Sequence, residues 1–168
     1  MIIRPEAPPD YEEIARIVAA AFGRAGEARI VEHIRASEHY VPNLSLVAVD
    51  DDQTVGHVMI SYVTVDGDNR RFLELAPVSV TPERQRSGIG IALIDDALRR
   101  ADALAEPFVL VLGHAEYYPR FGFESARAQG IEPPDARIPN SVWMLRRLSA
   151  FTPPYRARVI FPPAFDET

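Results

Sequence analysis

The sequence has no cysteine, no lysine and a single tryptophan, and none of its apolar runs approaches the length needed to cross a bilayer. Without cysteine there is no disulfide, no thiolate nucleophile and no cysteine-ligated metal, which fits a reducing cytosol. All 18 basic residues are therefore arginine, and the only primary amine on the chain is its α-amino group. Positive charge is also outnumbered. With 24 acidic residues the formal charge is -6 and the pI is near 5.2. A nucleic-acid backbone is bound through a broad basic face, so this balance argues against nucleic acid as a partner. The start, Met1-Ile2-Ile3-Arg4-Pro5, lacks the apolar core of a signal peptide. The expectation is a cytoplasmic protein with no membrane partner.

What is present suits one domain. A chain of 168 residues with 47% hydrophobic content buries one sizeable core. Residues 1–150 read as the domain, and 151–168 as a C-terminal strand or arm packed on it. Ile2 and Ile3 suit a short first strand. Asp10-Tyr11-Glu12-Glu13 has capping-box spacing for a helix whose apolar residues Ile14, Ile17, Val18, Ala21 and Phe22 recur at three and four, with Gly23 as its stop. A second amphipathic helix places Ala28, Val31 and Ile34 on one side. Residues 44–49, 55–65 and 72–80 are β-rich and joined by turn residues, so they predict an antiparallel meander. Pro77 cannot donate to a ladder and predicts a bulge that splays the last of these strands. The period-3.6 pattern from Ile91 to Ala105 predicts a helix, and the continuous apolar run 108–112 a buried strand parallel to the one before that helix. Residues 142–148 predict a further strand, and alternation through Tyr155, Ala157, Val159 and Phe161 an edge strand or arm.

The stretch 78–93 joins strand to helix through Gln85-Arg86-Ser87-Gly88-Ile89-Gly90. Two glycines remove Cβ atoms where a ligand must come close, and the following helix aims unpaired N–H groups and its positive dipole end at the turn. Phosphate oxygens are the natural guests of such a cradle. Arg84 and Arg86 stand beside it as candidate ionic partners.

The order of elements resembles the GCN5-related N-acetyltransferase (GNAT) superfamily. Residues 85–90 match its Q/R-x-x-G-x-G/A loop, and Gly113-His114 with Tyr117-Tyr118-Pro119-Arg120-Phe121-Gly122-Phe123 and the closing Phe161-Pro162-Pro163-Ala164-Phe165 look like its YhbS-like branch. Ala115 departs from the proline expected there. The resemblance implies an α/β (α+β) fold with a mixed, mostly antiparallel sheet splayed at a β-bulge and flanked by helices. It implies acetyl-coenzyme A as co-substrate, no metal, and transfer of the acetyl group to a primary amine of a small molecule or protein by direct attack in a ternary complex. Donor-binding positions would be Val78, Ser79, Val80, Gln85, Arg86, Ser87, Gly88, Ile89, Gly90 and Ile91. The alternative is an acyl-coenzyme A sensor or interaction module that retains the cradle without productive transfer.

The chemistry sets two proton tasks. An aliphatic ammonium, pKa about 10, must lose a proton before it can attack, and a thiolate of pKa about 8.5 leaves better when an acid meets it. The resemblance implies Tyr118 as the acid, since it stands five residues before Phe123 as the family's tyrosine stands ahead of its Gly-Phe, with Tyr117 as the alternative; an adjacent tyrosine pair can also simply fill a helix–sheet interface. The resemblance implies Glu74 as the base, since it lies six residues before Val80 where the histone-acetylating branch of the family carries a glutamate, with a water chain as the alternative. Strand alternation puts Glu74 on the face of Phe72, Ala76 and Val78. His114 could relay protons or cap backbone. The acceptor is expected to meet residues 22–40, the meander near Tyr62, and the tail. The final strand could pair within the chain or with a second copy, leaving monomer or homodimer.

Overall fold

A computed structural model describes residues 1–167. A single sheet runs in the order β1-β2-β3-β4-β5-β8-β6. Its first half is β1 (Ile2–Pro5), β2 (Ser45–Asp50), β3 (Gln53–Val65) and β4 (Arg71–Val80), each antiparallel to the next of these four. Its second half is β5 (Phe108–Leu112), β6 (Glu124–Ser125) and β8 (Trp143–Arg147), with the short β7 (Ile131–Glu132) off the main path. The β2–β3 turn places Asp51 and Asp52 both at positive φ, the conformation that tight two-residue hairpins require.

Helices cover both faces. On one side α3 (Ile89–Asp102) buries Leu93, Ile94, Ala97 and Ala101 against Val58, Ile60, Leu73 and Leu75. On the other, α1 (Tyr11–Phe22) and α2 (Gly26–Arg35) bury Ile14, Val18, Val31 and Ile34 against Val47 and Met59. Gly23, at φ +71°, ends α1 in the left-handed cap that favours glycine. The expected capping box at Asp10 does not form. The Asp10 carboxylate instead accepts bonds from Arg4 at 2.7 and 2.9 Å and from the Ala7 N–H at 2.8 Å, because an arginine brought in from β1 is a stronger partner than a helix N–H.

The bulge lies at Pro77. Val58 faces Val78 and Ile60 faces Leu75, so two steps along β3 match three along β4, and the extra residue falls at Ala76-Pro77. One inserted residue reverses the alternation beyond it. Val78 and Val80 therefore pack on the α3 side with Leu75, whereas Phe72 and Glu74 face the α1/α2 side. The expectation that Val78 shares a face with Glu74 is corrected by that inserted residue. Past the bulge the sheet opens: β4 and β5 run parallel and pair only at Leu73–Val109 and Glu74–Leu110.

The tail is more enclosed than an edge strand. β9 (Ala157–Ile160) pairs antiparallel with the end of β3 and parallel with β7, so it has partners on both sides within the chain. The turn Pro163–Glu167 then packs on α2, with Ala164 and Phe165 against the α1/α2 core.

A polar cluster is buried beside α2. The Glu6 carboxylate accepts bonds from Arg35 at 2.8 and 3.0 Å and from the Tyr40 hydroxyl at 2.8 Å, and lies 3.2 Å from His57 Nε2. Burial alone would raise the Glu6 pKa, but the bonds from His57, Arg35 and Tyr40 outweigh it and hold the group well below the usual carboxylate range. For His57 burial dominates and lowers the pKa, so this histidine is neutral and structural.

Candidate active site

The opening between β4 and β5 is a cavity of about 1010 Å³. Its floor is residues 74–80 of β4, one wall is residues 112–114 with Tyr117 and Tyr118, and its rim carries Gln85, Arg86 and Gly90. The far wall comes from Phe22, Arg24, Glu27 and Ile30 around the α1–α2 turn, and from Phe161 and Phe165 of the tail. The β4 edge facing β5 has no strand opposite it beyond Glu74, which leaves backbone polar groups aimed into the gap.

The cradle is built by local ties. Gly88, at φ +89°, is the N-cap of α3 and no side chain caps that helix, so its first-turn N–H groups are left for a ligand. Arg86 sits at φ +60°, a conformation that costs a non-glycine residue about 1–3 kcal/mol. Neighbouring contacts hold it there: the Ser87 hydroxyl donates to Arg84 O, Gln85 Nε2 donates to Val80 O at 3.1 Å, and Arg84 bridges to Asp50 at 2.6 Å. Arg84 is thereby committed to Asp50, whereas Arg86 lines the cavity. A Cβ on Gly90 would stand 3.4 Å from the Tyr117 hydroxyl, so this glycine lets Tyr117 lie over the start of α3.

The expected donor-site residues divide by position. Val78, Ser79, Val80, Gln85, Arg86 and Gly90 line the cavity. Ser87, Gly88, Ile89 and Ile91 do not; the Ile89 side chain is 4% exposed and packs in the core, which leaves only its main chain for a ligand. Ser79 is buried and its Oγ has no hydrogen-bond partner.

Tyr118 and Glu74 face the same cavity. Tyr118 is 7% exposed, with its ring edge-on to Tyr117 and Phe123 at centroid distances of 5.2 and 5.5 Å. Burial pushes its pKa up, the neighbouring Tyr117 adds to this, and the phenol keeps its proton at neutral pH. Glu74 is 2% exposed, and its Oε2 has no hydrogen-bond partner. Burial pushes its pKa well above the carboxylate range. His114 is exposed on the same wall. Trp143 is fully buried and donates from Nε1 to Ile131 O at 3.0 Å, which makes it a core residue.

Within the expected stretch 22–40, Arg24 and Glu27 line the cavity although neither was singled out in the sequence, and one expected contributor lies elsewhere. Glu27 lies three, four and seven residues before Ile30, Val31 and Ile34, so helical spacing alone places it on the buried face of α2. Arg24 binds it at 2.7 Å. Tyr62 lies outside the cavity: its hydroxyl donates to Glu106 at 2.6 Å and Arg71 covers its ring at 4.0 Å. Among the described residues no group of three His, Cys, Asp or Glu is placed to hold a metal ion.

A sheet splayed at a bulge, with a glycine-turn cradle at the start of the next helix, defines a class, and comparison with known proteins identifies it. Residues 3–126 match the model of the acetyltransferase (GNAT) domain, and the chain belongs to the GNAT superfamily. Among individual relatives, it is 35% identical over 146 residues to the uncharacterized N-acetyltransferase YjhQ of Escherichia coli K12, covering 84% of this chain and 81% of that one. The crystal structure of E. coli YhbS in complex with CoA superposes with a TM-score of 0.89 at 27% identity, over 98% of this chain and 91% of that one. A GNAT acetyltransferase from Brucella melitensis in complex with acetyl-CoA has a TM-score of 0.80 at 31% identity, over 98% and 97% of the two chains.

Proposed function

We propose that the protein is an acetyl-coenzyme A-dependent N-acetyltransferase acting on a primary amine by direct attack in a ternary complex. The observation that carries this reading is that Tyr118 and Glu74 face one cavity in the β4–β5 opening, with the cradle at its rim. The donor half fits the coenzyme. The uncapped N-terminus of α3 and Arg86 suit its pyrophosphate, the free β4 edge suits its amide-bearing arm, and Gly90 leaves the room a Cβ would fill. Relatives crystallised with CoA and acetyl-CoA support the same assignment.

Acetyl-coenzyme A supplies the acyl group and the leaving thiolate. Glu74 takes a proton from the acceptor ammonium, freeing the nitrogen lone pair to form the C–N bond as the C–S bond breaks. A backbone N–H near Val80 stabilises the charge that gathers on the carbonyl oxygen. Tyr118 gives its proton to the departing sulfur, and the second proton that the acylated nitrogen sheds restores the phenol, while Glu74 passes the first to solvent. Burial favours the protonated form of Glu74 in the free protein, but an ammonium beside it favours the carboxylate and opposes the effect of burial. Binding of a cationic acceptor therefore releases a proton, and kcat/KM rises with pH until Glu74 titrates in the free protein.

The test is thiol release from acetyl-coenzyme A across an amine panel. Tyr118→Phe is expected to lower kcat about 10²–10⁴-fold with the Kd for coenzyme A unchanged. Unchanged turnover removes Tyr118 from the acid role.

A further inference from the structure

The acceptor half of the cavity restricts the amine further, and this inference rests on the N-acetyltransfer reading above. We infer that the acceptor is a small primary amine with an aromatic or aliphatic body and no carboxylate beside the amine, rather than an amino acid or a peptide.

Charge supplies the first argument. The acceptor half holds two carboxylates, and among its described residues the only cation is Arg24. Arg24 is already committed: its Nε and Nη2 donate to both oxygens of Glu27, with bonds of 3.1, 3.2 and 2.7 Å. Glu74 has no cation against it, and its buried Oε2 lacks any hydrogen-bond partner. An ammonium supplies the donor that this oxygen lacks. A carboxylate one carbon away would be brought beside the Glu74 carboxylate that the ammonium has ionised, with no free basic group to meet it, and like charges in a shielded site repel strongly. Arg86 lies in the donor half, where the phosphates claim it.

Enclosure supplies the second. Phe161 and Phe165 line the cavity with ring centroids 5.2 Å apart, and Phe161 stands 6.0 Å from the buried Trp143. The turn they bracket is anchored at both ends, by β9 to β3 and β7 and by Ala164 and Phe165 to the α1/α2 core. This strap crosses the acceptor side and, with Phe22 and Ile30, offers hydrocarbon and ring faces. An extended peptide would have to displace it to thread through. A ring or short alkyl chain ends against it.

The experiment compares phenethylamine with phenylalanine, and both with a short peptide carrying one lysine, on the full chain saturated with coenzyme A or acetyl-coenzyme A. Calorimetric binding and turnover are both read. Phenethylamine is expected to bind to the coenzyme A complex and to exceed phenylalanine about 100-fold in kcat/KM, with the peptide at background. Phe165→Ala is expected to lower kcat/KM for phenethylamine about 10-fold, on the scale of lost pocket contacts, with the Kd for coenzyme A unchanged. Equal or better binding of phenylalanine or the peptide overturns the inference, as does the absence of phenethylamine binding. Selective phenethylamine binding without turnover leaves the acceptor class standing and removes the transferase reading instead.

Discussion

Gly113 ties the fold directly to the proposed chemistry. A Cβ built at this position would lie 2.3 Å from Tyr118 Cε2, 2.9 Å from Cδ2 and 3.3 Å from Cζ. Ordinary carbon–carbon contact begins near about 3.5 Å, so Gly113→Ala requires a displacement of roughly 1 Å. The obstacle is a buried ring hemmed in by Tyr117, Phe121 and Phe123, which cannot swing aside like the end of a flexible chain. Overpacking of this kind costs about 1–3 kcal/mol. At roughly 2–4 °C per kcal/mol for a domain of this size, the melting temperature should fall by about 2–12 °C. A shift of about 1 Å in a reacting group can lower a rate about 100-fold, so kcat should fall by that order while coenzyme A binding persists. The decisive assay is a double-mutant cycle. In a Tyr118→Phe background the proton donor is already gone, so adding Gly113→Ala should cost little further turnover while still lowering the melting temperature. Wild-type kcat in Gly113→Ala, or full additivity of the two changes in rate, refutes the claim that Gly113 acts by seating the Tyr118 phenol.

Other substitutions probe separate parts of the account. Glu74→Gln should abolish most turnover yet stabilise the protein toward alkaline pH. Burial raises the Glu74 pKa in the folded state, so its stabilising effect is complete below the unfolded pKa and is lost as pH rises through the folded value; the glutamine variant, read by thermal melts against pH, should lack that loss. Glu6 has the opposite sign. Its depressed pKa gives stability above the usual carboxylate range that disappears as pH falls, and Glu6→Gln, which strands Arg35, should cost about 3–5 kcal/mol in denaturant melts. Gly56→Ala would put a methyl 2.9 Å from Leu93 Cδ1, 3.1 Å from Ile89 Cγ2 and 3.2 Å from Ser79 O. It should move the first turn of α3, and with it the cradle, weakening coenzyme A binding in calorimetry; an unchanged Kd would separate the cradle from β3 packing.

Elements whose cause is local were legible in the sequence. Gly23 and Gly88 marked a helix end and a helix start, Pro77 marked the bulge, and the apolar run 108–112 marked a strand that is buried up to Val111, with Leu112 exposed where the sheet opens. What escaped was set by contacts distant in the chain. The bulge was foreseen but not its effect on Val78, because alternation reverses at an inserted residue whose partner lies on another strand. Asp10 had the right spacing for a cap, and Arg4 drew it away. The tail showed its alternation, yet nothing local revealed that β3 and β7 would hold it on both sides, or that its Phe161 and Phe165 would be the rings that line the cavity. Tyr118 and Glu74 were named from a resemblance to family positions; the opening between β4 and β5 sets them on one cavity.

The central claim is transfer of an acetyl group to an amine nitrogen in this cavity. With no lysine in the chain, background acylation is confined to its α-amino group, so the reaction can be followed cleanly. Purified protein is given acetyl-coenzyme A with a labelled acetyl carbon and phenethylamine, and the products are read by mass spectrometry beside the thiol released. The account predicts labelled N-acetylphenethylamine formed in step with coenzyme A thiol, and loss of both in Tyr118→Phe. Thiol release that does not depend on added amine, with no labelled amide, would contradict it.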